Sequence, residues 1–205
     1  MPSYKLYYFP IRGRAELIRL VLVGAGQDFE DIKIPFEEWP QKKLTIPTGK
    51  VPTFEVDGQH ICESLAIARY LAREYGYAGK TNLEQVLVDQ VVDATNDYLG
   101  EFFKAYFNGN EDEKKKAIDK YVKESIPKLL VCLDKWLQQN SGGDGFFVGA
   151  TATIADLFVY EVLTNAVMRD DKVLDGFPKV LAHRKRVAAL PKIKEYLEKR
   201  PTADV

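Results

Sequence analysis

The absences narrow this chain first. Its 205 residues include only two cysteines, Cys62 and Cys132, far apart and in neither metal-ligand nor Cys-x-x-Cys spacing, so both read as free thiols. No apolar run approaches the roughly 20 residues of a membrane span. The start, Met-Pro-Ser-Tyr-Lys-Leu, lacks the basic-then-apolar pattern of a signal peptide. Charge excess is missing too: 29 Lys and Arg face 30 Asp and Glu, a formal net charge of −1. No overall basic field therefore points to nucleic acid. There is no internal repeat. Together these predict a soluble, cytoplasmic protein with no membrane or nucleic-acid partner, long enough for one large domain or two small ones.

The stretch from Gly49 to Leu71 organises what is present. Val51, Thr53, Phe54 and Val56 favour an extended chain, and Asp57-Gly58 is a strong hairpin signal. After a second short strand, Ser64 precedes Leu65, Ile67, Ala68 and Leu71 at helical spacing, which predicts a helix with Ser64 as its N-cap. Pro52 cannot donate to a ladder, so it predicts a sheet edge. Such an edge can pair with an extended peptide. Glu63-Ser64 at a helix start sets a carboxylate beside free N–H groups that favour anions. A carboxylate for an ammonium and N–H groups for a carboxylate match an α-amino-acid head group. A small peptide fits here.

In chain order, residues 4–9 form a strand with Tyr4, Leu6 and Tyr8 on one face and Lys5, Tyr7 and Phe9 on the other. Pro10 ends it, and Arg12-Gly13-Arg14 makes a tight basic loop. Ala15 to Ala25 carries an apolar helical stripe closed by Gly24 to Gly26. Phe29 to Ile34 reads as a second strand, and 35–48 as a loop with a short helix holding Trp39, Lys42 and Lys43. A βαβ unit followed by a hairpin and helix predicts a small α/β layer domain. Gly76 to Thr81 reads as a linker. Beyond it the pattern is helical: Leu83–Phe107, Glu111–Gln139, a buried helix opened by a Thr153/Asp156 capping box, and two final helices begun by Pro178 and Pro191.

Tyr8-Phe9-Pro10-Ile11-Arg12-Gly13-Arg14-Ala15-Glu16, Trp39, Lys43, Gly49-Lys50-Val51-Pro52, Glu63-Ser64 and the Thr153/Asp156 box resemble, in order and spacing, the cytosolic glutathione transferases. The sigma class fits best, and that class also contains the haematopoietic-type prostaglandin D synthases. The resemblance covers the whole chain. It implies an α/β plus all-α architecture: a thioredoxin-like glutathione-binding domain over 1–78 and an all-helical domain over 82–205. It also implies a cis Val51–Pro52 peptide and a homodimer.

The implied reaction is conjugation of glutathione, as co-substrate, to small hydrophobic electrophiles, as in detoxification, with no metal required. Tyr8 matches the catalytic tyrosine, donating its phenol proton to the sulfur. Val51, beside Pro52, would pair main chain to main chain with the cysteinyl residue. Glu63 and Ser64 would take the γ-glutamyl ammonium and carboxylate. Lys43, Lys50 and the Trp39 indole would face the glycyl carboxylate, with Arg14 near the sulfur. Asp97 would reach the glutathione of the partner subunit. Phe9, Phe103, Lys104 and Phe107 would line the electrophile pocket. Three positions depart from the pattern. Glu63 stands where many sigma-class members carry Gln, which implies retained binding with stronger pH dependence. Asn96 replaces an aspartate of the intersubunit metal site of prostaglandin D synthases, and Lys104 replaces their tryptophan. Prostaglandin isomerisation is one alternative; a non-catalytic crystallin or ligand carrier on the same fold is another. A thiol-disulfide oxidoreductase is disfavoured, since Tyr8 stands near the place of its redox cysteine.

Overall fold

In the computed structural model, which describes residues 2–201, 203 and 205, the first strand, β1 (Tyr4–Tyr8), buries Tyr4, Leu6 and Tyr8 and leaves Lys5 and Tyr7 half-covered. That is the period of two expected of it. α1 (Glu16–Ala25) follows a single tight turn at Gly13–Ala15 and stops at Gly26, whose φ of 69° and N–H bonds to Leu22 and Val23 make a left-handed C-cap. β2 (Glu30–Lys33) lies parallel to β1. α2 (Trp39–Thr45) is the short helix expected within 35–48. β3 (Thr53–Val56) and β4 (Gln59–Cys62) join through Asp57 and Gly58, both at positive φ, the twist that two-residue hairpins prefer. α3 (Ser64–Tyr75) ends at a left-handed Gly76.

The sheet order is β2-β1-β3-β4, with β3 antiparallel to both β1 and β4. This is the thioredoxin-like arrangement. The edge expected at Pro52 is not there. β3 is an interior strand, and Pro52 lies one residue before it, so its missing N–H costs no ladder bond.

The chain divides into two units, Met1–Tyr77 with Leu190–Val205, and Ala78–Ala189. The second unit is helical. α4 (Asn82–Tyr106) opens on a capping box of Thr81 with Glu84, and α5 (Glu111–Lys120) on one of Asn110 with Glu113. The stretch read as one helix over 111–139 is continuous but not uniform. A π-turn at Tyr121–Ser125 leads into α6 (Ile126–Gln139), whose first turn holds Pro127. Proline cannot donate to the carbonyl four residues back and clashes with it, and the wider turn accommodates both defects.

α7 (Ile154–Val167) is buried along almost its whole length and starts at the Thr153/Asp156 box. Asp156 also accepts the Phe147 N–H at 2.9 Å and meets His183 Nε2 at 2.8 Å, so this buried carboxylate is fully partnered. His183 belongs to α8 (Pro178–Ala188). Leu129, Leu130 and Leu133 of α6 and Leu157, Val159 and Val162 of α7 are fully buried, each side chain contributing on the order of 2 kcal/mol.

α9 (Pro191–Lys199) departs from the expected boundary. The sequence reading places 190–205 in the helical domain, whereas Leu190–Val205 group with the first unit. The physical reason is Glu16 of α1, a buried carboxylate that accepts from Tyr196 Oη at 2.9 Å and Arg200 Nη1 at 2.7 Å. Among the described residues no helix is long and apolar enough to cross a membrane.

Candidate active site

Tyr8 closes β1 on its buried face, and the following loop turns back over its ring. Gly13 makes that approach possible: its φ is 46°, and a Cβ there would stand 2.5 Å from the Tyr8 hydroxyl oxygen. Both the backbone angle and the space demand glycine. The next residue, Arg14, donates its backbone N–H to that oxygen at 3.0 Å. A phenol oxygen that accepts an N–H keeps its own proton for a different acceptor. Burial pushes the Tyr8 phenol up from its ordinary value, opposed by the Arg14 N–H and by the charges of Arg14 and Arg19. At neutral pH the group is therefore a proton donor, not a base.

Tyr7 is engaged differently. Its hydroxyl donates to Glu55 Oε2 at 2.8 Å, and Lys5 meets the same carboxylate at 3.3 Å. Burial and the bond to Glu55 push Tyr7 up to about 12. Its proton is committed to a carboxylate within the protein.

The start of α3 is unusual. Glu63, not the expected Ser64, occupies the N-cap, with φ 69° and ψ 107°. Ser64 is the first helical residue, and among the described residues no side chain caps this helix. The carbonyl of Glu63 already accepts from Ile67 at 3.0 Å. The preceding N–H groups of the first turn have no intrahelical partner and point out of the helix start, where the dipole favours an anion. A non-glycine residue at such an angle costs of order 1–3 kcal/mol and clusters at ligand sites.

Glu63 forms an ion pair with Lys50 at 3.3 Å, with side chains 68% and 71% exposed. Pairs this open contribute at most about 1 kcal/mol. Lys50 thus rests on the Glu63 carboxylate. The Val51–Pro52 peptide is cis, as the resemblance implies. Val51 lies outside the β3 ladders, which begin at Thr53. The turn before them is tied by Thr53 Oγ1, which donates to the Lys50 carbonyl at 2.7 Å.

Trp39 begins α2, and Lys43 follows one turn later on the same face. Trp39 sets its edge against Phe9, with ring centres 5.4 Å apart, and Phe9 stacks on Phe36 at 4.5 Å. Phe9, expected in the electrophile pocket, is engaged by this cluster in the first unit. Asp97, Phe103, Lys104 and Phe107 belong to the second unit, on α4 and its C-cap. Asp97 is exposed. Phe103 and Phe107 stack one turn apart, and Phe107 is 63% exposed, which rules out core filling as its role.

A cavity of about 240 Å³ opens elsewhere in the first unit, lined by Tyr7, Lys33, Lys42 and His60 among others, and by none of the expected site residues. The local sequence gives Gly13 only a place in the basic loop and Glu16 only one in the resembling motif, and it assigns Arg19 no role. The available signal was an acid and a base three residues apart inside an otherwise apolar helix.

Comparison with known proteins bears on this arrangement. A family model described as the glutathione S-transferase N-terminal domain matches residues 4–73, and one for the C-terminal domain matches 96–200. The chain is 44% identical to hematopoietic prostaglandin D synthase of Gallus gallus over 98% of both chains. It is 36% identical to S-crystallin SL11 of Nototodarus sloanii, again over 98% of both. The structure of rat hPGDS complexed with a quinoline superposes with a TM-score of 0.91 at 36% identity, covering 99% of this chain and 100% of that one.

Proposed function

Because the chain belongs to the glutathione S-transferase family, we propose that it activates the glutathione thiol through Tyr8 and conjugates it to small hydrophobic electrophiles. The observation that carries this reading is the direction of one hydrogen bond. Tyr8 Oη accepts from the Arg14 N–H, so the phenol proton is available to a sulfur. A free thiol has a pKa of about 8.5 and is only a few per cent thiolate at neutral pH. A preorganised donor in a partly dried site stabilises the anion, each tenfold gain being about 1.4 kcal/mol.

The remaining roles follow the ligand's shape. The γ-glutamyl carboxylate meets Ser64 and the open N–H groups of α3, and its ammonium displaces Lys50 from Glu63. Released, Lys50 joins Lys43 and Trp39 at the glycyl carboxylate. The cysteinyl main chain pairs with Val51 beside the cis Pro52, which holds the sulfur toward Tyr8, with Arg14 close by. Sigma-class membership, a cytoplasmic homodimer in which Asp97 reaches across to the partner's glutathione, and an electrophile pocket using Phe9, Phe103, Lys104 and Phe107 belong to the same proposal, as does a detoxifying role.

A second reading, glutathione-dependent prostaglandin D synthase, is favoured by the 44% identity to the chicken enzyme and disfavoured by Lys104 in place of tryptophan. A non-catalytic carrier has support in the S-crystallin likeness, but the Tyr8–Arg14 arrangement has no purpose in it. The test is an aryl-halide conjugation assay on the wild type and Tyr8→Phe. Loss of about 10²-fold in kcat/KM is expected. Equal rates in the two proteins remove Tyr8 from the chemistry, and inactivity of both despite glutathione binding supports the carrier.

A further inference from the structure

The first half of α1 is buried, yet it contains Glu16 at 1% and Arg19 at 4% exposure. Charges so deep are tolerated only when paired and hydrogen-bonded throughout. Arg19 meets that condition with every arm. Nε and Nη2 fork onto the two oxygens of Asp31 on β2 at 3.0 and 3.2 Å. Nη1 reaches Glu16 Oε2 at 3.0 Å and the backbone carbonyls of Ile11 and Arg12 at 3.0 and 3.3 Å. The other side of Glu16 is held by Tyr196 and Arg200. The opposite edge of the same loop is also tied, since the Arg12 N–H donates to the Val205 carbonyl at 3.0 Å.

The loop so gripped is the one that carries Gly13 across the Tyr8 ring and sets the Arg14 N–H on the Tyr8 oxygen. Resting on the reading of Tyr8 as the thiol's proton donor, we propose that Arg19 is a positioning residue for thiol activation. By holding the Ile11 and Arg12 carbonyls it fixes the loop, keeps the Arg14 N–H on the phenol oxygen, and so keeps the phenol proton turned toward the sulfur. Arg19 is too deeply buried to meet the tripeptide itself. It acts through the loop and, secondarily, through its charge.

The charged groups around the phenol are Arg14 on the loop and Arg19 on α1, both of which favour the phenolate against the cost of burial. Behind Arg19 stand Glu16, Asp31 and Arg200. Loosening the grip therefore draws the Arg14 N–H off the Tyr8 oxygen and displaces a well-placed cation, and each change moves the Tyr8 titration upward.

The test compares wild type with Arg19→Lys, which keeps the charge but replaces the planar fork by a point donor unable to reach two carbonyls and two carboxylates at once. Ultraviolet difference titration of the ligand-free proteins, each measured against its own Tyr8→Phe counterpart, isolates the Tyr8 phenol. It is expected to titrate about one unit higher in Arg19→Lys. In the conjugation assay kcat/KM is expected to fall about tenfold, with the KM for glutathione within about twofold and the acid limb of the pH profile moved up. An unchanged phenol titration in a folded variant, with lost activity matched by fewer active sites, overturns the proposal. Should Arg19→Lys fail to fold, Asp31→Asn removes one anchor at the more exposed end of the network and must show the same directions at smaller size. A wild type that does not conjugate refutes the reading of Tyr8, and the ligand-free titration still decides the Arg19 arm.

Discussion

Tyr7 and Tyr8 are consecutive residues of one strand, and their hydroxyls have opposite roles. Tyr7 points to the side of the sheet where Glu55 and Lys5 wait, and it donates. Tyr8 points to the side where the loop after β1 folds back, and it accepts. Residue type and strand are shared, and burial differs in degree, Tyr8 being buried and Tyr7 half-covered. What differs in kind is whether the first neighbour brings a lone pair or an N–H. A phenol that spends its proton on an internal carboxylate serves the fold, whereas one that receives an N–H has a proton left for a ligand.

The largest expected effect exchanges the two tyrosines' fates. Tyr8→Phe should cost about 10²-fold in conjugation, and Tyr7→Phe should leave it within about twofold while lowering stability by about 1 kcal/mol for the lost hydrogen bond. Steady-state kinetics and denaturant titration on the pair read this directly. Similar kinetic losses in both would erase the distinction. Next in size is Gly13→Ala, which pushes the loop off the Tyr8 ring. Activity should fall about tenfold, with a destabilisation of about 1–3 kcal/mol from the left-handed backbone.

A smaller effect separates binding from chemistry. Lys50→Ala should weaken the glutathione Kd by about threefold, because it takes one exposed cation from the glycyl carboxylate while the pair it gives up with Glu63 contributes little. Isothermal calorimetry checks this, and an unchanged Kd would remove Lys50 from the glycyl carboxylate. The smallest effect concerns the Tyr7 side. The hydrogen bond from Tyr7, aided by Lys5, lowers the Glu55 carboxyl below its ordinary range. A depressed carboxylate contributes stability above its unfolded pKa and loses it as pH falls through the folded value. The Tm gap between wild type and Glu55→Gln should therefore be present at neutral pH and close on acidification below the carboxylate range. A gap independent of pH would remove Glu55 from the account.

Much of this architecture could be read from residues whose preferences are local. Asp57-Gly58 fits only a tight hairpin, Gly26 and Gly76 stop helices, and the Thr153/Asp156 box starts one. Tyr8, Val51-Pro52 and Glu63-Ser64 could be singled out for the same reason, as short patterns with few conformations open to them. The misreadings all involve partners distant in sequence. Pro52 suggested an edge because nothing local says that β1 and β4 flank β3. Ser64 suggested a cap because nothing local forces Glu63 into a positive φ. The placement of α9 depended on Glu16, more than 170 residues earlier, which accepts from Tyr196 and Arg200. Arg19, lost in an apolar stripe, needed Asp31 and the Ile11 carbonyl in view before its role emerged.

The central claim, that Tyr8 gives its proton to the glutathione sulfur, is tested most directly by ultraviolet titration of the thiol bound to the enzyme. The account predicts a midpoint at least one unit below the free thiol value of about 8.5, returning toward that value in Tyr8→Phe. A bound thiol that titrates in the wild type where it does in water would contradict it.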